Sequence, residues 1–255
     1  MTEPGSGSDA FSLRTTARRT GGGFVLNGTK TFITNAPIAD VFVVFASTDA
    51  GTGFAGISAF LVDRDMPGVA IGAPFHKMGL RTSPMSEVVF TDCHVRADRS
   101  LGPEGAGAAI FNHSMDWERS CILASAVGTM QRQLERSIAY AKDRKQFGQS
   151  IGKFEAVSHK IAEMKLRLET SRLMVYRLGW LKQNGKAAPL DSALVKLQLS
   201  ESFLRSSLDT LQIHGGYGYM TEAEIERDVR DAVASRIYSG TSDIQRNLIA
   251  THLGL

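Results

Sequence analysis

The hydrophobic period changes once along this chain, and that change constrains the fold more than any other feature. Up to about residue 100 the apolar residues come in short β-branched or aromatic runs, Val41 to Ala46, Ile57 to Val62 and Glu87 to Phe90, separated by Gly-rich or Pro-containing links such as Asp49 to Gly56. Phe24-Val25-Leu26 and Thr31-Phe32-Ile33 flank Asn27-Gly28, whose tolerance of positive φ predicts a tight hairpin, with Thr29-Lys30 lengthening the loop. After Gly102-Pro103 the spacing turns helical. Leu123, Val127, Met130, Leu134 and Ile138 recur at steps of three and four, as do Val157, Ile161, Met164, Leu168, Ser171, Val175 and Leu178. Leu190, Leu194, Leu197, Leu204, Leu208 and Leu211 continue the habit. Long amphipathic helices are predicted near 105–142, 154–184 and 188–213, with a fourth near 242–252 after an irregular Gly-rich segment at 214–221. The fold class is α+β, a β domain over residues 1–103 followed by an antiparallel helix bundle over 104–255.

Composition excludes several classes. With 43% apolar and 22% charged residues the chain can bury a core, so disorder is excluded. Lys and Arg total 29 against 26 Asp and Glu and are scattered, which argues against a nucleic-acid-binding face. No apolar run reaches the ~18–20 residues that span a bilayer, and the basic-then-apolar order of a signal peptide is missing, so no membrane association and a cytoplasmic location are expected. Cys93 and Cys121 lack the spacing and His partners of a zinc site and are read as reduced packing residues, with no metal expected.

Five segments could carry chemistry. Thr2-Glu3-Pro4-Gly5-Ser6-Gly7-Ser8-Asp9 exposes backbone N–H groups and hydroxyls that could cradle an anion or the polar edge of a ring, although an unliganded start of chain has the same composition. Phe32-Ile33-Thr34-Asn35 puts an aromatic ring and a hydroxyl at a strand end. Gln212-Ile213-His214-Gly215-Gly216-Tyr217-Gly218 follows a helix, and its glycines permit close approach of a ligand or simply stop the helix. Gly240-Thr241-Ser242-Asp243 opens the last helix, as a phosphate seat or a plain N-cap. Asp116-Trp117-Glu118-Arg119 lies within the first long helix. Glu118 stands one turn before Ile122 and two before Ala126, where a carboxylate can be desolvated into a base; a surface pair with Arg119 is the alternative.

Taken in order and spacing, these segments resemble the acyl-CoA dehydrogenase family of flavoproteins. The resemblance runs through residues 1–9, Asn27 to Asn35, Met78-Gly79-Leu80-Arg81-Thr82-Ser83, Arg144-Lys145-Gln146-Phe147-Gly148, Gln212 to Gly216 and Arg227 to Arg246, covering essentially the whole chain. It implies the family's middle β-barrel domain followed by its C-terminal four-helix bundle, with FAD between them. Thr2, Phe32, Ile33 and Thr34 would line the flavin, the Thr34 hydroxyl near N5, with Phe32 where many members have Trp. Arg144, Phe147, Gln212, Gly215 and Gly216 would reach the cofactor of a neighbouring subunit, and Thr241 and Asp243 would lie by its phosphates and adenosine, so a homodimer or homotetramer is implied. Ser8, Asp116 and Arg119 match positions that contact the thioester substrate.

The implied reaction is α,β-dehydrogenation of an acyl thioester: a carboxylate removes the α-proton and the β-hydrogen leaves as hydride to the flavin. Most members carry that carboxylate just before the Gly-Thr of the last motif, where this sequence has Ser239. The isovaleryl-CoA dehydrogenase type carries it on the first bundle helix, immediately before an arginine, and Glu118 occupies that place. Glu118 is therefore the expected base. The resemblance leaves open an acyl-CoA or a carrier-protein-bound acyl or aminoacyl substrate, and electron-transfer flavoprotein or another electron acceptor. A repurposed flavoprotein that only binds a partner is the competing reading. The family also has a helical domain ahead of the Thr2 motif that walls the acyl pocket, and this sequence starts at that motif.

Overall fold

The computed structural model describes residues 1–255, which form two compact units. Met1–Lys77 with Arg81–Ser114 make the first, and Met78–Leu80 with Met115–Leu255 the second, so the division falls inside a helix.

Six strands build the first unit: β1 (Thr16–Thr20), β2 (Gly23–Thr34), β3 (Val41–Ser47), β4 (Ile57–Asp63), β5 (Val69–Ile71) and β6 (Met85–Arg96). They lie in one sheet in the order β4-β3-β1-β2-β6-β5, antiparallel except for β1 beside β3. The sheet curls on itself. Edge strand β4 is bridged at Phe60 to Ser100, just past β6, and Phe60 and Val62 share one core with Phe24 and Leu26 of β2 and Val88, Phe90, Cys93 and Val95 of β6. Alternate residues Phe42, Val44 and Ala46 of β3 point into that core, as a half-buried strand requires.

The expected hairpin at Asn27-Gly28 is not formed: β2 runs unbroken through it as a 12-residue strand. The pair marks a β-bulge instead, where register shifts between Leu26 and Gly28. The Asn27 side chain bonds the bulging partner strand, accepting from Asp92 N at 2.9 Å and donating to Asp92 Oδ1 at 3.1 Å. Gly28, at φ +149°, lies so close to Thr15 that a Cβ would sit 2.5 Å from its Oγ1. The bulge residue pair and the hairpin pair have the same composition, so sequence alone chose wrongly.

The second unit holds the last turns of α1 (Gly107–Cys121), then α2 (Ala124–Asp143), a minimal hairpin of β7 (Lys145–Gln146) and β8 (Gln149–Ser150), α3 (Glu155–Gln183), α4 (Pro189–His214), α5 (Gly216–Tyr219), α6 (Ile225–Ser235) and α7 (Ser242–His252). The single helix expected over 105–142 is two, because the chain turns at Ile122-Leu123 and buries Leu123. Helix α6 was not anticipated. Its apolar residues Ile225, Val229, Ala232 and Val233 do recur at helical spacing, but over only 11 residues interrupted by charged groups, and the buried face also takes in Asp228 and Ser235.

Helix α4 is central, with α2, α3, α6 and α7 around it. Its leucine stripe is the less buried side: Leu208 is exposed, whereas Ala193, Val195, Lys196, Leu199, Phe203 and a run of serines are buried. Ser207 and Thr210 return their hydroxyls to the carbonyls four residues back at 2.8 Å, so they pack as small, satisfied groups. Met164, Leu168, Leu178 and Leu199 fill the space between helices, each contributing about 1.5–3 kcal/mol by burial. Cys93 is buried as expected, but Cys121 at the end of α1 is exposed.

Candidate functional site

In the β unit, the turn at residues 2–9 is pinned by an ion pair that sequence reading did not single out. The Glu3 carboxylate accepts from Lys30 Nζ at 2.7 Å, Arg14 N at 2.6 Å, and Thr15 N and Oγ1 at 2.9 and 2.5 Å. Both charged side chains are about 95% buried, at 5% and 4% exposure. Burial pushes the Glu3 carboxyl up, but hydrogen bonds from Lys30, Thr15 and the two backbone amides outweigh it and hold the group at about 2. Burial lowers Lys30, opposed by Glu3. Ser6 turns inward, donating to Asp9 O at 2.6 Å, while Ser8 stays exposed.

Thr31 N donates to Thr2 O at 3.0 Å, which sets Thr2 beside the end of β2. There a second bulge, between Lys30 and Ile33, places Phe32 at φ +55°, a costly conformation for a bulky residue. The kink turns the ring outward. Phe32 is 61% exposed, with Phe75 5.6 Å away and Thr34 exposed at the strand end. The result is an exposed aromatic patch, its two rings inclined at 50°, at a strand end that also carries the Thr34 hydroxyl.

In the helical unit, Glu118 and Ser239 meet. The Ser239 hydroxyl donates to the Glu118 carboxylate, although 121 residues separate them. Arg119 Nε donates to the Ser239 carbonyl at 3.3 Å. Lys196, fully buried on α4, donates from Nζ to Gly240 O at 2.7 Å, and Gln245 Nε2 reaches the Ser239 and Gly240 carbonyls at 3.3 and 3.1 Å. Burial lowers Arg119, with Glu118 and Asp116 opposing. Tyr238 is pushed up to about 12 by burial and by the charges of Glu118 and Asp231. The neighbouring Asp116 is engaged inside the unit, paired with Lys182 and accepting from Ser192 Oγ at 2.6 Å, and Lys182 lies 4.9 Å over the Trp117 ring.

Lys196 gives a testable signature. Burial first, then Arg119, depress it from 10.5 to about 8, with Glu201 opposing. The fold therefore disfavours the cation: the penalty is full below pH 8, shrinks as pH rises, and is gone above about 10.5. Measured against Lys196→Met in urea titrations, the wild type is expected to gain roughly 3 kcal/mol of relative stability between pH 8 and 10.5. A flat difference across that range would show that the amine is not buried as a disfavoured charge.

A separate cleft of about 540 Å³ is lined by Tyr140, Arg144, Gln146, Ile151, Ile213, His214, Gly215, Gly216, Tyr217 and Met220. Gly215 adopts φ +58° with open space where a Cβ would stand, so a ligand can approach the backbone. His214 stacks on Tyr140 at 4.4 Å and bonds Thr210 O through Nδ1 at 2.8 Å; burial lowers it, with Arg136 adding to the effect. Phe147, 93% exposed at φ +50°, projects from the β7–β8 hairpin. Thr241 caps α7, accepting from Ile244 N at 3.2 Å, and Asp243 pairs with Arg246 one turn on at 3.0 Å.

Family models give the decisive comparison: the acyl-CoA dehydrogenase middle domain matches residues 1–93 and the acyl-CoA dehydrogenase C-terminal domain matches 105–254. The chain belongs to the acyl-CoA dehydrogenase family. It is 47% identical over 254 residues to the L-prolyl-[peptidyl-carrier protein] dehydrogenase of Serratia sp., covering 100% of this chain and 66% of that protein. The crystal structure of the prolyl acyl carrier protein oxidase AnaB superposes with TM-score 0.98 at 50% identity, over 100% of this chain and 67% of AnaB. PigA, solved with FAD and proline, gives TM-score 0.98 at 46% identity, over 100% and 66% respectively. The chain thus spans about two thirds of the length of the relatives it matches.

For this acyl-CoA dehydrogenase family chain, the structure joins Thr2 to Thr31, next to the Phe32–Thr34 segment, joins Glu118 and Arg119 to the Ser239 loop, and puts Arg144 in one cleft with Gly215 and Gly216. One expected environment is not formed. Glu118 is exposed, and the helix break at Ile122-Leu123 takes Ala126 out of line with it, so neighbours along its own helix do not desolvate it. Glu3, Lys30, Lys196 and Gln245 were missed. The only signals were an acid in a small-residue turn and single polar groups in apolar stretches, and nothing in the spacing pairs them. No helix is long and apolar enough to cross a membrane.

Proposed function

We propose that this chain is the β-domain and helical-domain portion of an FAD-dependent enzyme that desaturates an acyl thioester, with a prolyl group on a carrier protein as the favoured substrate and Glu118 as the base. The observation that carries the reading is the Ser239–Glu118 hydrogen bond. The family's usual position for its base and the alternative position on α1 converge in space, so a carboxylate on α1 serves the same locus. Similarity to the Serratia enzyme, AnaB and PigA favours the tethered prolyl group over free acyl-CoA.

The residues present suit the cofactor. Thr2, Phe32, Ile33 and Thr34 would receive a flat ring, the outward-turned Phe32 giving stacking area and Thr34 a hydroxyl. Arg144, Phe147, Gln212, Gly215 and Gly216 would hold a further part of an FAD, the Arg guanidinium suiting phosphate and the open Gly215 backbone permitting contact, within a homodimer or homotetramer. Thr241 and Asp243 would stand by the phosphate and adenosine portion at the start of α7, whose N-terminus favours anions. Bound FAD supplies the acceptor of the β-hydrogen and its electron pair.

The chain's own residues do the proton chemistry. The Glu118 carboxylate takes the α-proton, the α C–H pair becomes the new double bond, and the β-hydrogen departs as hydride. Arg119, next to the base on α1, would contact the thioester, and Asp116 holds α1 in place through Lys182 and Ser192. The test is anaerobic titration of the FAD-loaded protein with prolyl-carrier protein, isovaleryl-CoA and butyryl-CoA. Bleaching of the oxidised flavin by the prolyl thioester ahead of both CoA esters is expected. Bleaching by a CoA ester instead would move the substrate to acyl-CoA, and bleaching by none would point to a binding protein.

A further inference from the structure

Resting on the assignment of Glu118 as the base, we propose that Ser239 is a positioning residue: its hydroxyl fixes the Glu118 carboxylate, and the loop that carries it is locked by donors from three helices. The Glu118 carboxylate is exposed, and a glutamate side chain can take several staggered rotamers, whereas proton abstraction needs one geometry. The hydrogen bond from Ser239, charge-assisted because it meets a carboxylate, selects one. Arg119, the adjacent cation, gives its Nε to the Ser239 carbonyl, which leaves the hydroxyl as the group that orients the acid.

A hydroxyl on a loose loop could not do this. Here Ser239 sits at φ +56° and Gly240 at φ +87°, two successive left-handed residues, the first disfavoured for any side chain. Arg119 on α1, Lys196 on α4 and Gln245 on α7 donate to the carbonyls of these same two residues, holding both peptide planes. A Cβ at Gly240 would lie 2.6 Å from Gln245 Nε2, so Gln245 packs directly on this residue. Strain at Ser239 is held where it aims a donor at the candidate base.

The test uses Ser239→Gly, which keeps the left-handed backbone and deletes the donor, and Ser239→Asn, which tolerates that backbone and restores one. In the FAD-loaded protein, Ser239→Gly is expected to slow thioester-driven flavin reduction about tenfold at saturation with KM unchanged, and Ser239→Asn to recover most of the rate. A crystal structure of Ser239→Gly should show the Glu118 carboxylate in more than one rotamer. A wild-type rate in Ser239→Gly, a single unchanged Glu118 rotamer, or no recovery in Ser239→Asn overturns the proposal. Glu118→Gln separates the two ideas: if it is inactive while Ser239→Gly is unaffected, the base stands and the positioning role falls; if Glu118→Gln is fully active, the base reading itself falls.

Discussion

Glu118→Gln is expected to slow substrate-driven flavin reduction by roughly a hundred- to ten-thousand-fold, the range for loss of a general base. Glutamine has the same shape and can still accept the Ser239 hydroxyl, so the change removes basicity and little else. FAD content and thioester KM should stay near wild type, because the lost interaction is made at the transition state. Adding Ser239→Glu should return part of the rate, since the two side chains already share one locus. Stopped-flow reduction of the three proteins at saturating thioester checks all of this, and an undiminished rate in Glu118→Gln would remove this carboxylate from the chemistry.

Glu3→Gln should be the most destabilising polar substitution in the β unit, costing about 3–5 kcal/mol, the loss expected when one partner of a buried pair is removed. Lys30 would remain buried with its countercharge gone, left to neutral acceptors such as the Met1 carbonyl at 3.3 Å. Acid should reproduce part of the effect. The Glu3 carboxyl is depressed from 4.5 to about 2, so its contribution is complete above pH 4.5 and is lost as pH falls through about 2. Glu3→Gln should lack that component of acid unfolding. Because Glu3 also anchors the turn that presents Thr2, the variant should bind FAD more weakly, which equilibrium dialysis would measure together with urea unfolding.

The elements that sequence revealed were those whose burial follows one period. Met164, Leu168, Ser171 and Leu178 face the bundle core as their spacing requires, and α3, α4 and α7 begin and end within a residue or two of expectation. Helix α4 misled because it is buried on nearly every side: its inward face mixes Val195, Leu199 and Phe203 with serines, an alanine and a lysine, and the leucines that made the period visible are its less buried residues. Strand β2 misled because a bulge and a hairpin both favour Asn-Gly.

Motif resemblance singled out Glu118, Phe32 and Gly215, but the contacts around the candidate residues come from pairings no spacing encodes. Glu3 with Lys30, Glu118 with Ser239, and Lys196 with Gly240 are each fixed by the folded chain alone. Phe32 could be named as an aromatic residue at a strand end. Its outward turn depends on a positive φ that nothing in a phenylalanine announces.

Proton abstraction can be watched apart from hydride transfer by using a thioester that has α-hydrogens but no transferable β-hydrogen, in deuterated buffer, with the FAD-loaded wild type and Glu118→Gln side by side. The wild type should wash deuterium into the α-carbon, and Glu118→Gln should not exceed the buffer rate. Equal exchange in the two proteins would contradict the assignment of Glu118 and the mechanism built on it.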